Sequence, residues 1–263
     1  MITGAGRGIG KRLAIGLARN GLRIGLLGRD QAELNSTRLE IEDSGGVAFP
    51  FRADVCNPDD VKTAVGLMTS KWGAVDALIA NAAIHGPIGP FATSRLSAWR
   101  DVFDVNVHGV INCCHAVLPQ MVKRRSGKIL TISCTGVATP RPDFAVYSAT
   151  KAAIARFVES LAEEVRDRNV QVNNMLPGGA YTTMTDEILN STVDLDSAEL
   201  EEAGKVRLTG GTPAEKQIQL ALFLTSERSN HVTGKLIHVK DDWKRLEVES
   251  DRPDAFTVRR HLR

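Results

Sequence analysis

Short apolar runs alternate with longer amphipathic stretches along almost the whole chain. Gly8 to Asn20 carries apolar residues at helical spacing and is stopped by Gly21, and Leu22 to Leu27 follows as a short apolar strand. Asp30 is placed to cap a second helix, with Glu33 in capping-box position three residues on. Val47 to Arg52 is a strand, and Asn57-Pro58 opens a third helix as an N-cap followed by proline at its first position. Val75 to Ala80 is an apolar strand, and one long helix is expected from Ser97 to Arg124. Lys128 to Ser133 is a strand, Ala145 to Arg168 a helix and Val170 to Met175 a strand. Thr212-Pro213-Ala214-Glu215 starts a last helix, and Lys235 to Val239 is a last strand.

Strands separated by single helices must pair in parallel through right-handed crossovers. A parallel sheet needs helices on both faces. The predicted fold is therefore α/β: a Rossmann-type, doubly wound, mostly parallel sheet of about seven strands with helices on both faces. No linker or repeat divides it, so 1–263 reads as one dinucleotide-binding and catalytic domain. Its start is unusual, because only Met1-Ile2-Thr3 stand where a full first strand belongs. A stub would leave neighbouring strand groups unpaired at about 1–3 kcal/mol for each buried group. The expectation is a truncated first strand in a chain beginning downstream of its natural start.

Composition changes this picture little. The 263 residues are 43% hydrophobic and 24% charged, with a formal net charge of +2, which gives no reason to expect nucleic acid or an anionic membrane as partner. Four cysteines (Cys56, Cys113, Cys114, Cys134) include no C-x-x-C pair, and the six histidines no H-x-x-x-H pair, so no metal site is expected. No apolar run approaches the roughly 18 residues of a membrane span, and no signal-like segment precedes the first motif. The chain reads as cytoplasmic.

The first loop, Thr3-Gly4-Ala5-Gly6-Arg7-Gly8-Ile9-Gly10, leads straight into a helix. Glycines allow a tight turn and close approach to a pyrophosphate, and the helix behind them offers free N–H groups. The next strand ends in Gly28-Arg29-Asp30. A guanidinium at that tip suits the 2′-phosphate of NADP, where an acid would take the ribose hydroxyls of NAD. With Arg7 close by in the first loop, NADP(H) is expected over NAD(H); the plainer alternative is two surface arginines and an Asp30 that only caps.

Tyr147 and Lys151 are four residues apart on one helix and share a face. A free phenol, with pKa near 10, is a reluctant proton carrier at neutral pH, and bringing it to about 7 takes roughly 4 kcal/mol. A neighbouring ammonium is expected to supply much of that. The preceding strand ends in Ser133, at the edge where ligands bind in such sheets.

Taken in order, the TGAGRGIG loop, Asp54-Val55, Asn81-Ala82-Ala83, Asn106, Ser133, Tyr147 with Lys151, and Pro177-Gly178 followed by Thr182 resemble the short-chain dehydrogenase/reductase family in its single-domain branch. The resemblance covers nearly the whole chain. It implies a hydride transfer between nicotinamide and a carbonyl or secondary alcohol, with Tyr147 as general acid or base. Lys151 would lower the phenol's pKa and hold the nicotinamide ribose. Ser133 would bind the substrate oxygen, and Asn106 would anchor a water linking Lys151 to solvent. Gly4, Arg7, Gly8, Ile9, Gly10, Arg29, Asp54, Val55, Asn81, Ala82, Ala83, Pro177, Gly178 and Thr182 would line the cofactor, the last at the carboxamide. It further implies a homodimer or homotetramer acting on a small carbonyl or alcohol. A cofactor-binding sensor or scaffold of the same fold is the alternative, and Tyr147 and Lys151 argue against it.

The chain departs from the family in places. Ala83 stands where glycine is usual, which is costly if the position needs positive φ. The serine-to-tyrosine interval is one residue longer than usual, which puts Cys134 at the common spacing; Ser133 is preferred, with the extra residue in the Pro140–Pro142 loop. The segment at about 180–210, with Asp186, Glu187, Asp194, Asp196, Glu199, Glu201 and Glu202, is the expected substrate lid. It reads as a solvated helical lid, or as one that repels anions. Phe144 and Tyr181 flank the expected cleft as substrate contacts or as core. A charged tail at about 241–263 replaces the family's Asp-Gly-Gly ending, and either docks on a neighbouring subunit or wraps its own domain.

Overall fold

The computed structural model describes residues 1–193, 195–247 and 256–257. Asp194 of the lid and residues 248–255 and 258–263 of the expected tail lie outside the described residues. The strands are β1 (Ile2–Thr3), β2 (Arg23–Gly28), β3 (Val47–Arg52), β4 (Ala77–Ala80), β5 (Gly127–Ile132), β6 (Val170–Leu176) and β7 (Leu236–His238). They form one sheet in the order β3-β2-β1-β4-β5-β6-β7, with every pairing parallel. The winding direction reverses between β1 and β4. Loops leaving their carboxyl ends therefore diverge and open a crevice there.

Strand and helix each follow from local sequence. β5 and β6 are buried along their full length, as inner parallel strands are, although they carry the polar residues Lys128, Thr131, Gln171, Asn173 and Asn174. Edge strand β3 is buried only at Ala48 and Phe51. Leu26 and Leu27 on β2 point to opposite faces and join two separate cores. One core holds α1 (Gly8–Arg19), α2 (Gln31–Asp43) and α9 (Ala214–Leu224); the other holds α3 (Pro58–Trp72), α5 (Gly109–Arg124) and α6 (Ala145–Glu164). Asn57 caps α3 as expected, accepting from Asp59 N at 3.0 Å.

Four details differ from the sequence reading. The long helix is divided into α4 (Leu96–Phe103) and α5 by a π turn at Asp104–His108. That turn carries Asn106 inward, where its amide brackets both backbone groups of Ile84. The α2 capping box is half made: Asp30 accepts from Ala32 N and Glu33 N, but the Glu33 carboxylate turns to Arg7 at 3.7 Å. Helix α6 stops at Glu164, and a 3-10 turn leads to Asn169 at φ 53°, a left-handed stop. The lid is two helices, α7 (Thr183–Leu189) and α8 (Ser197–Thr209), over a small apolar cluster of Phe144, Tyr147, Ile188, Leu195 and Ala203.

The two-residue β1 pairs Ile2 with both Leu26 and Ile79. The Met1 amino group donates to Ala77 O at 2.8 Å; burial pushes it down to about 5 against the opposing pull of Asp76. In the described part of the tail, Trp243 stacks on Phe223 and Leu236 N donates to Phe256 O, so this part packs on its own chain. None of the described helices is long and apolar enough to cross a membrane.

Lys128, on β5, is buried with its ammonium on Ser229 Oγ (3.2 Å) and Asn230 Oδ1 (2.7 Å). Burial pushes it down to about 8, with Glu227 opposing. Between that value and the ordinary 10.5 the unfolded chain binds the extra proton, so this lysine's contribution to stability rises with pH. Lys128→Met is therefore expected to compare best with the native protein below pH 8. Denaturant titrations should find its relative advantage shrinking as pH climbs from 8 to 10.5, and a flat difference would contradict the assignment.

Candidate active site

At the crevice the first glycine loop and the loop after β4 are fastened together. Thr3 Oγ1 accepts from Asn81 N and Ala82 N, both at 3.0 Å, and the Asn81 amide donates to Thr3 O (3.0 Å) and Gly4 O (3.4 Å). Gly10 sits so close beneath that an added Cβ would lie 2.2 Å from Gly4 O and 2.6 Å from Asn81 Nδ2. Gly8 starts α1 at φ +55°, and its added Cβ would meet Thr182 Cγ2 at 3.0 Å. Helix α1 has no side-chain cap and no acid in its first turn, so its leading N–H groups are left for an anion. This is a cradle that side chains would fill, and it fits a dinucleotide's pyrophosphate.

One cavity of about 830 Å³ runs from this cradle along the carboxyl edge. That is the size of a small-molecule or cofactor site. At its nucleotide end lie Gly4, Arg7, Gly8, Ile9, Arg29, Asp54 and Val55. Arg7 and Arg29 are largely exposed, each with a long contact to one carboxylate: Arg7 to Glu33 at 3.7 Å, Arg29 to Asp54 at 3.9 Å. Exposed pairs of that length hold little energy. Asp54 is turned back on its own loop, accepting from Cys56 N at 2.9 Å. Asn81, Ala82 and Ala83 line the middle of the cavity, and Pro177, Gly178 and Thr182 its far wall. Ala83 is not among the described non-glycine residues with positive φ, so alanine there is unstrained.

Ser133, Tyr147 and Lys151 line the deeper end. Ser133 leaves β5 with its N–H on Met175 O at 2.8 Å, while its Oγ is buried without a hydrogen-bond partner. Such an orphan costs about 1–3 kcal/mol, a cost that a substrate oxygen would remove. Lys151 Nζ lies 5.5 Å from the centre of the Tyr147 ring and donates to Ile132 O at 2.8 Å. Burial pushes the lysine down to about 8, with the Cys134 charge opposing. Burial also pushes the Tyr147 phenol up, reinforced by Cys134 and opposed by Arg141. The expected acidification by Lys151 is thus absent from the protein alone, because its ammonium is spent on a backbone carbonyl and desolvation dominates. Tyr147 stands as a neutral phenol, able to donate.

Asn106 and Gly10 do not line the cavity. Asn106 lies behind it, holding Ile84 and donating to Thr150 Oγ1 at 3.1 Å; Thr150 in turn donates to Tyr147 O at 2.7 Å. Cys134 shares the cavity, its thiol pushed up mainly by burial. Phe144 is core, and Tyr181 is exposed with its hydroxyl on Asp186. Among the described residues no cluster of histidine, cysteine or acid could hold a metal ion.

Two polar residues that spacing did not single out also line the deep end. His85 Nδ1 meets Glu187 Oε2 of α7 at 3.1 Å, and Arg141 makes two 2.7 Å bonds to Glu199 of α8. Each pair joins a wall loop to a lid helix. The lid acids are therefore neither simply solvated nor a bare repulsive field, since Glu187, Glu199 and Asp186 all have partners. No periodic signal could have paired residues so distant in the chain.

The profile of the short chain dehydrogenase family matches residues 1–192. The 3-oxoacyl-(acyl-carrier-protein) reductase FabG of Staphylococcus epidermidis is 33% identical over 242 residues, which cover 91% of this chain and 96% of that protein. The solved structure of a gluconate 5-dehydrogenase from Burkholderia cenocepacia, in complex with NADP and tartrate, is 29% identical with a TM-score of 0.80, covering 90% of this chain and 91% of the other. A 3-ketoacyl-(acyl-carrier-protein) reductase from Brucella melitensis, complexed with NADH, is 26% identical with a TM-score of 0.78 and covers 90% of this chain and 94% of its own. The chain belongs to the short chain dehydrogenase family and is an oxidoreductase working between a carbonyl group and the corresponding alcohol.

Proposed function

We propose that this protein is an NADP(H)-dependent reductase of a small ketone or aldehyde, reversible toward the alcohol, with Tyr147 as its proton donor. The observation that carries the reading is the buried, partnerless Oγ of Ser133, a residue that lines the same cavity as Tyr147, whose phenol burial keeps neutral. When bound, the nicotinamide supplies the hydride in reduction and accepts it in oxidation. Ser133 donates a hydrogen bond to the carbonyl oxygen and holds it beside the phenol. Tyr147 passes its proton to that oxygen as negative charge develops. The resulting phenolate is stabilised by the Lys151 ammonium, which must leave Ile132 O or share its protons with it. Asn106 acts through Thr150 on the first turns of α6 and so keeps Tyr147 in register.

Relatives named for NADH and for NADP support a nicotinamide cofactor here. The preference for NADP(H) rests on Arg7 and Arg29, two weakly engaged guanidinium groups at the nucleotide end, and on Asp30 being occupied as a helix cap. The loop–helix contacts support treating 1–263 as one catalytic domain with a lid at about 180–210. A cytoplasmic homodimer or homotetramer accords with the family.

Tyr147→Phe is expected to lower turnover by about 10²–10⁴-fold, the usual weight of a general acid, while NADPH binding followed by fluorescence stays nearly unchanged. Turnover kept by that variant would refute the acid role. Arg29→Asp is expected to shift the NADPH-over-NADH ratio of kcat/KM toward NADH by roughly tenfold or more, the weight of one charge-assisted hydrogen bond. An unchanged ratio would remove Arg29 from phosphate recognition.

A further inference from the structure

His85 is a buried side chain at the reaction end to which the proton transfer assigns no role. It follows the Asn81-Ala82-Ala83 turn by two residues, is 5% exposed, and lines the same cavity as Ser133 and Tyr147. Its ring stands edge-on to Tyr147, with centroids 4.9 Å apart at 83°, and edge-on to Phe144 at 5.6 Å and 69°. Those two rings fix its plane. The 3.1 Å contact between Nδ1 and Glu187 Oε2 fixes its tautomer. An ionised carboxylate only accepts, so Nδ1 carries a hydrogen, and in the tautomer with that single N–H the lone pair sits on Nε2. Among the described residues Nε2 has no hydrogen-bond partner.

The reaction end is therefore divided by hydrogen-bonding sense. Ser133 and Tyr147 donate, which suits the carbonyl oxygen being reduced. An Nε2 that accepts suits a hydroxyl and is wrong for a thioester, an ester or a second carbonyl, all of which only accept. We infer that His85 is a specificity-determining residue whose Nε2 accepts a hydrogen bond from a substrate hydroxyl close to the reacting carbon, so that the substrates are hydroxyketones or, in reverse, polyols. The inference rests on the reductase reading above. A site built to satisfy a hydroxyl discriminates against an analogue lacking it, because the buried acceptor is then left bare.

Hydroxyacetone and butan-2-one, which differ only in a hydroxyl for a methyl, form the test pair, with NADPH oxidation as readout. The native protein is expected to favour hydroxyacetone in kcat/KM by roughly tenfold or more, the weight of one buried hydrogen bond with its desolvation. His85→Phe should bring the ratio of the two kcat/KM values close to one, whatever it does to the rate on butan-2-one. Glu187→Gln, isosteric and at a half-exposed position, can donate as well as accept; it releases the tautomer and should lower the ratio without touching the fold. A ratio near one in the native protein, or one unchanged in both variants, overturns the role of His85. Turnover of neither ketone by a native protein that binds NADPH overturns the reductase reading instead, whereas turnover of both leaves that reading standing and judges His85 alone.

Discussion

The hydrogen-bonded clasp between Thr3 and Asn81 is what the site depends on. Parallel pairing delivers every strand's carboxyl end to one edge, but the sheet's reversal at β1 and β4 lets the loops there splay apart. One hydroxyl and one amide draw them back together, with Thr3 Oγ1 accepting from two successive backbone N–H groups and Asn81 answering to the first loop's carbonyls. Gly10 has no room for a side chain because of this closure. The uncapped start of α1 is brought to the middle of the edge by the same contacts.

Across that edge, the chemistry is set by a contest between burial and charge. Tyr147 and Lys151 are both withdrawn from water, and withdrawal disfavours the charged form of each. A phenol kept neutral is in the form that can give a proton. A lysine held near 8 is easily shared between a carbonyl and a new anion. On the mechanism proposed above, ionisation of the phenol is left to the moment when substrate and cofactor change the local field, and no buried phenolate is maintained at rest.

Much of the architecture was legible because periodicity is a local property. The strand runs and the helix starts at Asp30 and Asn57 needed only neighbours a few residues away, and each appears where those neighbours put it. Ser133, Tyr147 and Lys151 could be grouped because the topology sends consecutive strand ends to one side. Features decided by distant partners were not legible. Glu33 could not be known to face Arg7, nor His85 to face Glu187, 102 residues away. Nor could spacing, which gives the distance to Lys151 along a helix, show that the carbonyl of Ile132 engages its ammonium.

The π turn at Asp104–His108 has a geometric consequence of its own. One residue inserted into a helix advances the angular phase by about 100°. The buried positions Val102, Asn106, Val110, Cys113, Val117 and Met121 nevertheless follow one another every three or four residues, so the turn absorbs the extra residue and keeps one face inward. Excising a single residue from this turn would rotate all of α5 against α3 and α6 while swinging Asn106 away from Ile84. The length of that one turn couples the packing of a whole face of the sheet to the seating of Tyr147.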